Sequence, residues 1–115
     1  MLLAGGRLPD GSRLLAPASV QAMTVDHIGV DRGAAGPSPD GSQGWGFGLG
    51  IQVRRTGLGP AVGGYGWAGG LGTSWGNDPS QDLDGVVLTT DMFVSAFPPP
   101  AIIQDFWTCV YAALD

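Results

Sequence analysis

Bulky apolar residues and glycine alternate along residues 44–54. Trp45, Phe47, Leu49, Ile51 and Val53 take one side of the pattern, and Gly46, Gly48, Gly50 and Gln52 take the other. A period of two belongs to a strand, so one strand is expected over 44–55, with a bulky face and a bare face. A second is expected within 64–76, where five glycines fall among the twelve residues of 64–75, beside Tyr65, Trp67 and Trp75. The Gly69-Gly70 pair is a candidate break in it. Backbone so short of side chains lets another chain or a ligand come close. Asp84-Gly85-Val86-Val87-Leu88-Thr89-Thr90 predicts a third strand over 83–90. Its unbroken Val86-Val87-Leu88 run predicts burial.

The period lengthens to that of a helix in two places. Pro17 suits a first helical position, and Val20, Met23 and then His27 or Ile28 recur at helical spacing up to Gly29, predicting a short helix over 17–27. After Pro98-Pro99-Pro100, an apolar stripe of Ile103, Phe106, Trp107, Val110, Tyr111 and Leu114 predicts a C-terminal helix over 100–114. Leu8-Pro9-Asp10-Gly11-Ser12, Thr56–Pro60 and Asn77–Ser80 carry turn chemistry. Residues 1–4 look like a last helical turn ended by Gly5-Gly6. Residues 29–43, polar and rich in Gly and Pro, are expected to be a flexible loop. Gly-Trp-x-x-Gly-Leu-Gly occurs at 44–50 and again at 66–72, which two neighbouring strands with similar packing needs would explain. The fold class is therefore α+β: about three antiparallel strands (44–55, 64–76, 83–90) with the short helix and the C-terminal helix packed on the sheet, all within one small domain.

Composition narrows the chemistry. The 21 Gly and nine Pro favour turns and thin strands over a helical bundle. All five cations are Arg, all ten anions are Asp, and the net charge is −5. That balance argues against a nucleic-acid partner, which needs clustered cations. Arg54-Arg55 reads as a solvated strand end. Without Lys there is no Walker loop, no Schiff base and no Ser-x-x-Lys pair within the chain. One Cys and one His exclude an internal disulfide and a zinc site built from those ligands. No metal and no cofactor is expected. Cys109, in a helical apolar pattern, reads as a buried thiol, and His27 as a polar cap at a helix end. The Asp residues at 10, 40, 78, 82 and 84 read as turn formers. Gly64-x-Gly66-x-x-Gly69 matches a dinucleotide fingerprint, but the glycine-rich sequence after it does not open the helix that fingerprint needs. No run suits a signal peptide or a membrane span, so no membrane partner is expected and the cytoplasm is the default compartment.

The order of these segments resembles the serine β-lactamase-like family, which includes penicillin-binding proteins, class C β-lactamases and related esterases. Arg13-Leu14-Leu15-Ala16-Pro17-Ala18-Ser19-Val20-Gln21-Ala22-Met23-Thr24 resembles a helix entry late in that family, although Ala16 stands where a capping Ser is usual. Gly44-Trp45-Gly46-Phe47-Gly48-Leu49-Gly50 is similar to the glycine-rich strand before the family's third motif. Trp67-Ala68-Gly69 sits where the family has Lys-Thr-Gly, His-Thr-Gly or Trp-Gly-Gly. The resemblance implies that Trp67, Ala68, Gly69 and Trp75 border a substrate and that the Gly70 N–H is one oxyanion donor. It also implies a small ester or amide as substrate, because Trp67 replaces a Lys that would pair with a substrate carboxylate. The family's Ser-x-x-Lys and Tyr-x-Asn motifs are absent here. The chain thus resembles the C-terminal portion of such a hydrolase, inactive alone and lacking an N-terminal segment that would bear the nucleophile and decide the parent's compartment. The alternative is a self-contained Gly/Trp-rich binding module, for example for carbohydrate, using Trp45, Trp67 and Trp75.

Overall fold

The computed structural model describes residues 1–29, 37–94 and 98–114. It is α+β, with a five-stranded antiparallel sheet in the order β1-β2-β3-β4-β5 and two helices. The strands are β1 (Gln43–Trp45), β2 (Gly50–Gln52), β3 (Tyr65–Gly69), β4 (Thr73–Asp78) and β5 (Leu83–Leu88). Helix α1 spans Pro17–Met23 and α2 spans Ala101–Ala112.

Two of the three expected strands are hairpins. The alternating segment turns back on itself at residues 46–49, so that Trp45 pairs with Gly50 and Gln43 with Gln52. The turn closes through Gly46 N–H to Leu49 O at 2.8 Å, with Gly48 in the left-handed region at φ +80°. Phe47 stands at the tip, 59% exposed, off the face that the alternation assigned to it. The second segment turns at 70–72, with Gly69 opposite Thr73, the Gly72 N–H donating to Gly69 O at 3.0 Å, and Gly72 at φ +91°. Glycine explains both corrections. It is the bare residue of a strand face and also the residue that accepts the left-handed conformation of a turn, so the period-two pattern runs through the bend unbroken. Each Gly-Trp-x-x-Gly-Leu-Gly copy contains one of these bends.

The registers align glycine across the sheet. Gly50 pairs with Gly66, Gly66 with Gly76 and Gly76 with Gly85. The indole of Trp107 lies over the Gly76–Gly85 end of this row, where a β-carbon at Gly85 would sit 2.8 Å from its Cη2. The Trp107 Nε1–H donates to Ser74 Oγ at 3.0 Å. Ile103 and Tyr111, one helical turn away in each direction, are buried. Ile103, Phe106, Trp107, Val110 and Tyr111 are all buried or half-buried, as the stripe predicts, and α2 packs on the sheet, but Leu114, the last member of the stripe, falls beyond the helix end at Ala112 and is 37% exposed. Cys109 lies on its exposed side, contrary to the buried reading, because it falls between the turns that carry the stripe.

On the opposite face Leu49, Ile51 and Tyr65 form the core, and Leu2, Met23, Val53 and Trp75 pack against it. Helix α1 stops at Met23, earlier than the spacing predicts. Residues beyond it cross β1: a β-carbon on Gly46 would strike the Met23 carbonyl, and one on Gly44 would strike the Asp26 carboxylate. Asp26 Oδ1 accepts the Trp45 N–H at 2.9 Å, and the His27 N–H donates to Trp45 O at 2.9 Å. This segment therefore lines the outer edge of β1. Residues 30–36 of the expected loop lie outside the described residues. Within 37–43 the chain makes a tight turn in which Ser38 and Ser42 are buried. The first residues carry helix-ending bonds, Gly5 N–H to Leu2 O and Gly6 N–H to Met1 O, with Gly5 left-handed.

Strand β5 corrects a further expectation. Val86 is 60% and Leu88 75% exposed. An apolar run is buried on both faces only in an interior strand, and β5 is the last strand of the sheet.

Two substitutions probe this packing. Gly85→Ala should push Trp107 off the sheet and cost about 1–3 kcal/mol, read as a fall in the urea midpoint. Ala16 occupies the N-cap of α1 in an extended conformation with no side-chain cap, so Ala16→Ser should raise stability by about 1 kcal/mol in the same assay.

Candidate functional site

Strand pairing places the sequence-predicted residues along one hairpin. Trp67 stands opposite Trp75, Ala68 opposite Ser74 and Gly69 opposite Thr73. Neighbouring residues of a strand point to opposite faces, so Ala68 and Ser74 share the side of the glycine row while Trp75 takes the other; the Trp67 ring lies against Gly50, its Cε3 3.5 Å from where a β-carbon there would stand. Trp75 is half-buried against the core and Trp67 remains 45% exposed. Trp45 meets Trp67 edge-on, with ring centroids 4.5 Å apart and an interplanar angle of 86°.

Gly70 begins the hairpin loop. Its carbonyl accepts the Phe93 N–H at 2.8 Å. Its own N–H donates to no group among the described residues. Gly70 is exposed, and a β-carbon built there would touch nothing within 4 Å. A backbone donor with no partner among the described residues is thus held at an exposed strand end.

A groove of about 1000 Å³ runs beside α2 along the glycine row. Gly50, Gly66, Gln52, Ser74 and Trp107 line it. Trp67, Ala68, Gly70 and Trp75 also border it, and Gly69 does not. The titratable side chains at its wall are Asp40 and Tyr65. Hydrogen bonds from the Ser42 hydroxyl and amide hold the Asp40 carboxyl below its ordinary value, and burial pushes the Tyr65 phenol above its own. His27 stands elsewhere: its Nε2 lies 2.6 Å from Ala22 O, and its ring stacks on Phe47. It caps the end of α1, as the sequence predicts. The groove can therefore shape and hydrogen-bond a ligand, but among the described residues its wall carries no side chain poised for proton transfer near neutral pH.

The residues that sequence reasoning missed form a buried junction behind the groove. Asp78 is 1% exposed. Its Oδ1 accepts from the Ser80 amide at 3.0 Å and the Ser80 hydroxyl at 2.6 Å, and its Oδ2 from the Ala61 amide at 2.9 Å and the Tyr111 hydroxyl at 3.1 Å. One carboxylate thereby ties the β2–β3 connection, the β4–β5 turn and α2 together. The local half of this junction was legible, because Asp10-Gly11-Ser12 and Asp40-Gly41-Ser42 make the same pair of Asp–Ser bonds. Nothing in the sequence signals the partners Ala61 and Tyr111. Burial works to raise the Asp78 carboxyl, but the donations from Ser80, Ala61 and Tyr111 prevail and hold it below the ordinary carboxylate value. Burial, reinforced by the adjacent Asp78 charge, pushes the Tyr111 phenol well above its own.

No protein family matches the chain. It is similar to two curated proteins of Mycobacterium tuberculosis, the uncharacterized protein MT1414 of strain CDC 1551 and protein Rv1367c of strain H37Rv, each 38% identical over 93 residues. The match covers 72% of this chain and 22% of each relative, so the chain spans about a fifth of the length of the curated relatives it matches.

The Asp78 junction sets a pH dependence. A carboxyl held low in the folded state contributes stability that is present above its unfolded pKa of about 3.9 and is lost as pH falls through the lower folded value. Urea midpoints measured from pH 5 to pH 2 should therefore fall, and Asp78→Asn should flatten that fall. Tyr111→Phe should cost about 1.5–3 kcal/mol at pH 7, the worth of one hydrogen bond to a charged group.

Proposed function

We propose that the chain is the C-terminal segment of a serine hydrolase of the β-lactamase-related family, whose full-length parent cleaves esters or amides through an acyl-enzyme. The observation that carries this reading is the β3–β4 hairpin. Its strand bears Trp67-Ala68-Gly69 and ends at the exposed Gly70, whose amide has no hydrogen-bond partner among the described residues. Oxyanion stabilisation needs a donor that is fixed in position and not otherwise engaged, and the Gly70 N–H meets both conditions. The order of elements supports the same reading: a short helix, a glycine-rich strand pair, the hairpin, an outer strand and a terminal helix.

The roles then divide between two parts of the parent. This chain supplies one wall and one oxyanion donor. The nucleophile and base, as Ser-x-x-Lys and Tyr-x-Asn, come from an N-terminal segment. Trp67 offers an aromatic surface where a cation would pair with a substrate carboxylate, so neutral esters or amides are the favoured class. Trp67, Ala68 and Trp75 border the acyl group, Gly69 joins them to the Gly70 donor, and no metal or cofactor enters the reaction. The carbohydrate-module alternative calls for aromatic rings that present a common plane to a sugar. Trp45 and Trp67 are perpendicular, which favours the hydrolase reading.

Mass spectrometry with a fluorophosphonate probe tests this. The purified 115-residue chain should take no label, whereas full-length Rv1367c should be labelled on a single serine and turn over a nitrophenyl ester faster than a chromogenic β-lactam. A label on any serine of this chain, or an unreactive Rv1367c, would overturn the proposal.

A further inference from the structure

The buried carboxylate of Asp78 stands beside a reactive peptide bond. Asp78 is followed by Pro79, the one Asp-Pro pair among the 115 residues. The prolyl nitrogen belongs to a tertiary amide, which is easier to protonate and to expel than an ordinary peptide nitrogen. The aspartate side chain is a nucleophile within reach of its own backbone carbonyl carbon. Asp10 and Asp40 make the same Asp–Ser bonds, but both are exposed and both precede Gly.

The turn after β4 prepares the carbonyl. Pro79 takes the second position of a turn over residues 78–81, in which the Gln81 N–H donates to Asp78 O at 3.1 Å. A donor on that oxygen stabilises the charge that gathers there when a nucleophile adds to the carbon. Pro79 is exposed, on the water side of the turn. The carboxylate, in contrast, is tied. Its Oδ1 accepts from the Ser80 amide and hydroxyl, and its Oδ2 from the Ala61 amide and the Tyr111 hydroxyl. An oxygen that swings onto the carbonyl carbon must give up both of its donations. In a site where Asp78 is 1% exposed, water does not replace them. The carbon is ready and the nucleophile is restrained.

We propose that the Asp78–Pro79 bond is a self-cleavage site that the folded chain keeps closed, with the Tyr111 hydroxyl and the Ala61 amide as its latch and acid as the condition that opens it. In the step itself a carboxylate oxygen of Asp78 adds to the Asp78 carbonyl carbon. The C–N bond to Pro79 breaks, and the prolyl nitrogen takes a proton from acidic water and leaves as a secondary amine. One water then opens the cyclic anhydride left on Asp78. The products are a chain ending at Asp78, with β1 to β4, and a chain beginning at Pro79, with β5 and α2.

Incubation at about pH 4, close to the ordinary aspartate pKa, with and without urea and read by intact-mass spectrometry, tests this. The unfolded chain should split at this bond, into two masses that sum to the intact mass plus one water. The folded chain, its circular dichroism unchanged, should split at least tenfold more slowly. Pro79→Ala should abolish the split in urea. Tyr111→Phe, which removes one donor from Oδ2, should speed the folded reaction at least threefold. Ile51→Val, which loosens the core on the other face of the sheet, should not. Equal rates with and without urea, no split at this bond in urea, or a Pro79→Ala chain that splits alike would each overturn the proposal. So would a Tyr111→Phe chain no faster than the parent, or an Ile51→Val chain as fast as Tyr111→Phe, since cleavage would then follow global unfolding and not the latch.

Discussion

The missing β-carbons of Gly76 and Gly85 let the terminal helix reach the sheet. Trp107 has the bulk to fill the space two side chains would otherwise occupy, and its indole N–H finds Ser74 on the same face. A helix docked this way is fixed in position along the sheet, because the large ring fits only where the small residues are. The same glycine row continues through Gly66 to Gly50, beyond the reach of Trp107, and there it lines the groove. The packing of α2 and the shape of the candidate site are two halves of one feature.

Asp78 is the polar counterpart of that contact. The Asp-x-Ser unit recurs at three places with the same local bonds, yet only at Asp78 does the fold bury the carboxylate. Burial would be costly for an unpaired charge. Here four donations from three separate segments compensate, and removing one partner strands the others in a dry site. The junction lies behind the groove and holds its walls in register, a structural role that no catalytic motif would reveal.

The site itself is one-sided. A paired strand end presents the Gly70 N–H, aromatic residues flank it, and among the described residues the groove wall has no group for proton transfer. On strand β5, with which only β4 pairs among the described residues, Val86 and Leu88 are left exposed.

Much of the architecture was legible in local pattern. The apolar stripe located α2 to within a residue or two and named the side chains it buries, because a helix repeats its face every three to four residues whatever it packs against. Turn chemistry at Asp10, Asp40 and Asp78 and the cap at His27 were equally local. The number of strands was not legible, because glycine serves strand and turn alike and conceals the bends at 46–49 and 70–72. The burial of Val86 and Leu88 was not legible either, since an apolar run does not reveal whether its strand is inside or at an edge. By itself the sequence determined the elements and the chemistry they exclude, for these follow from period, turn residues and the absence of Lys. Only the tertiary structure decided that the glycines form one row, that Trp107 fills half of it and that Asp78 gathers Ala61 and Tyr111, because those facts depend on strand register and on segments distant in the chain.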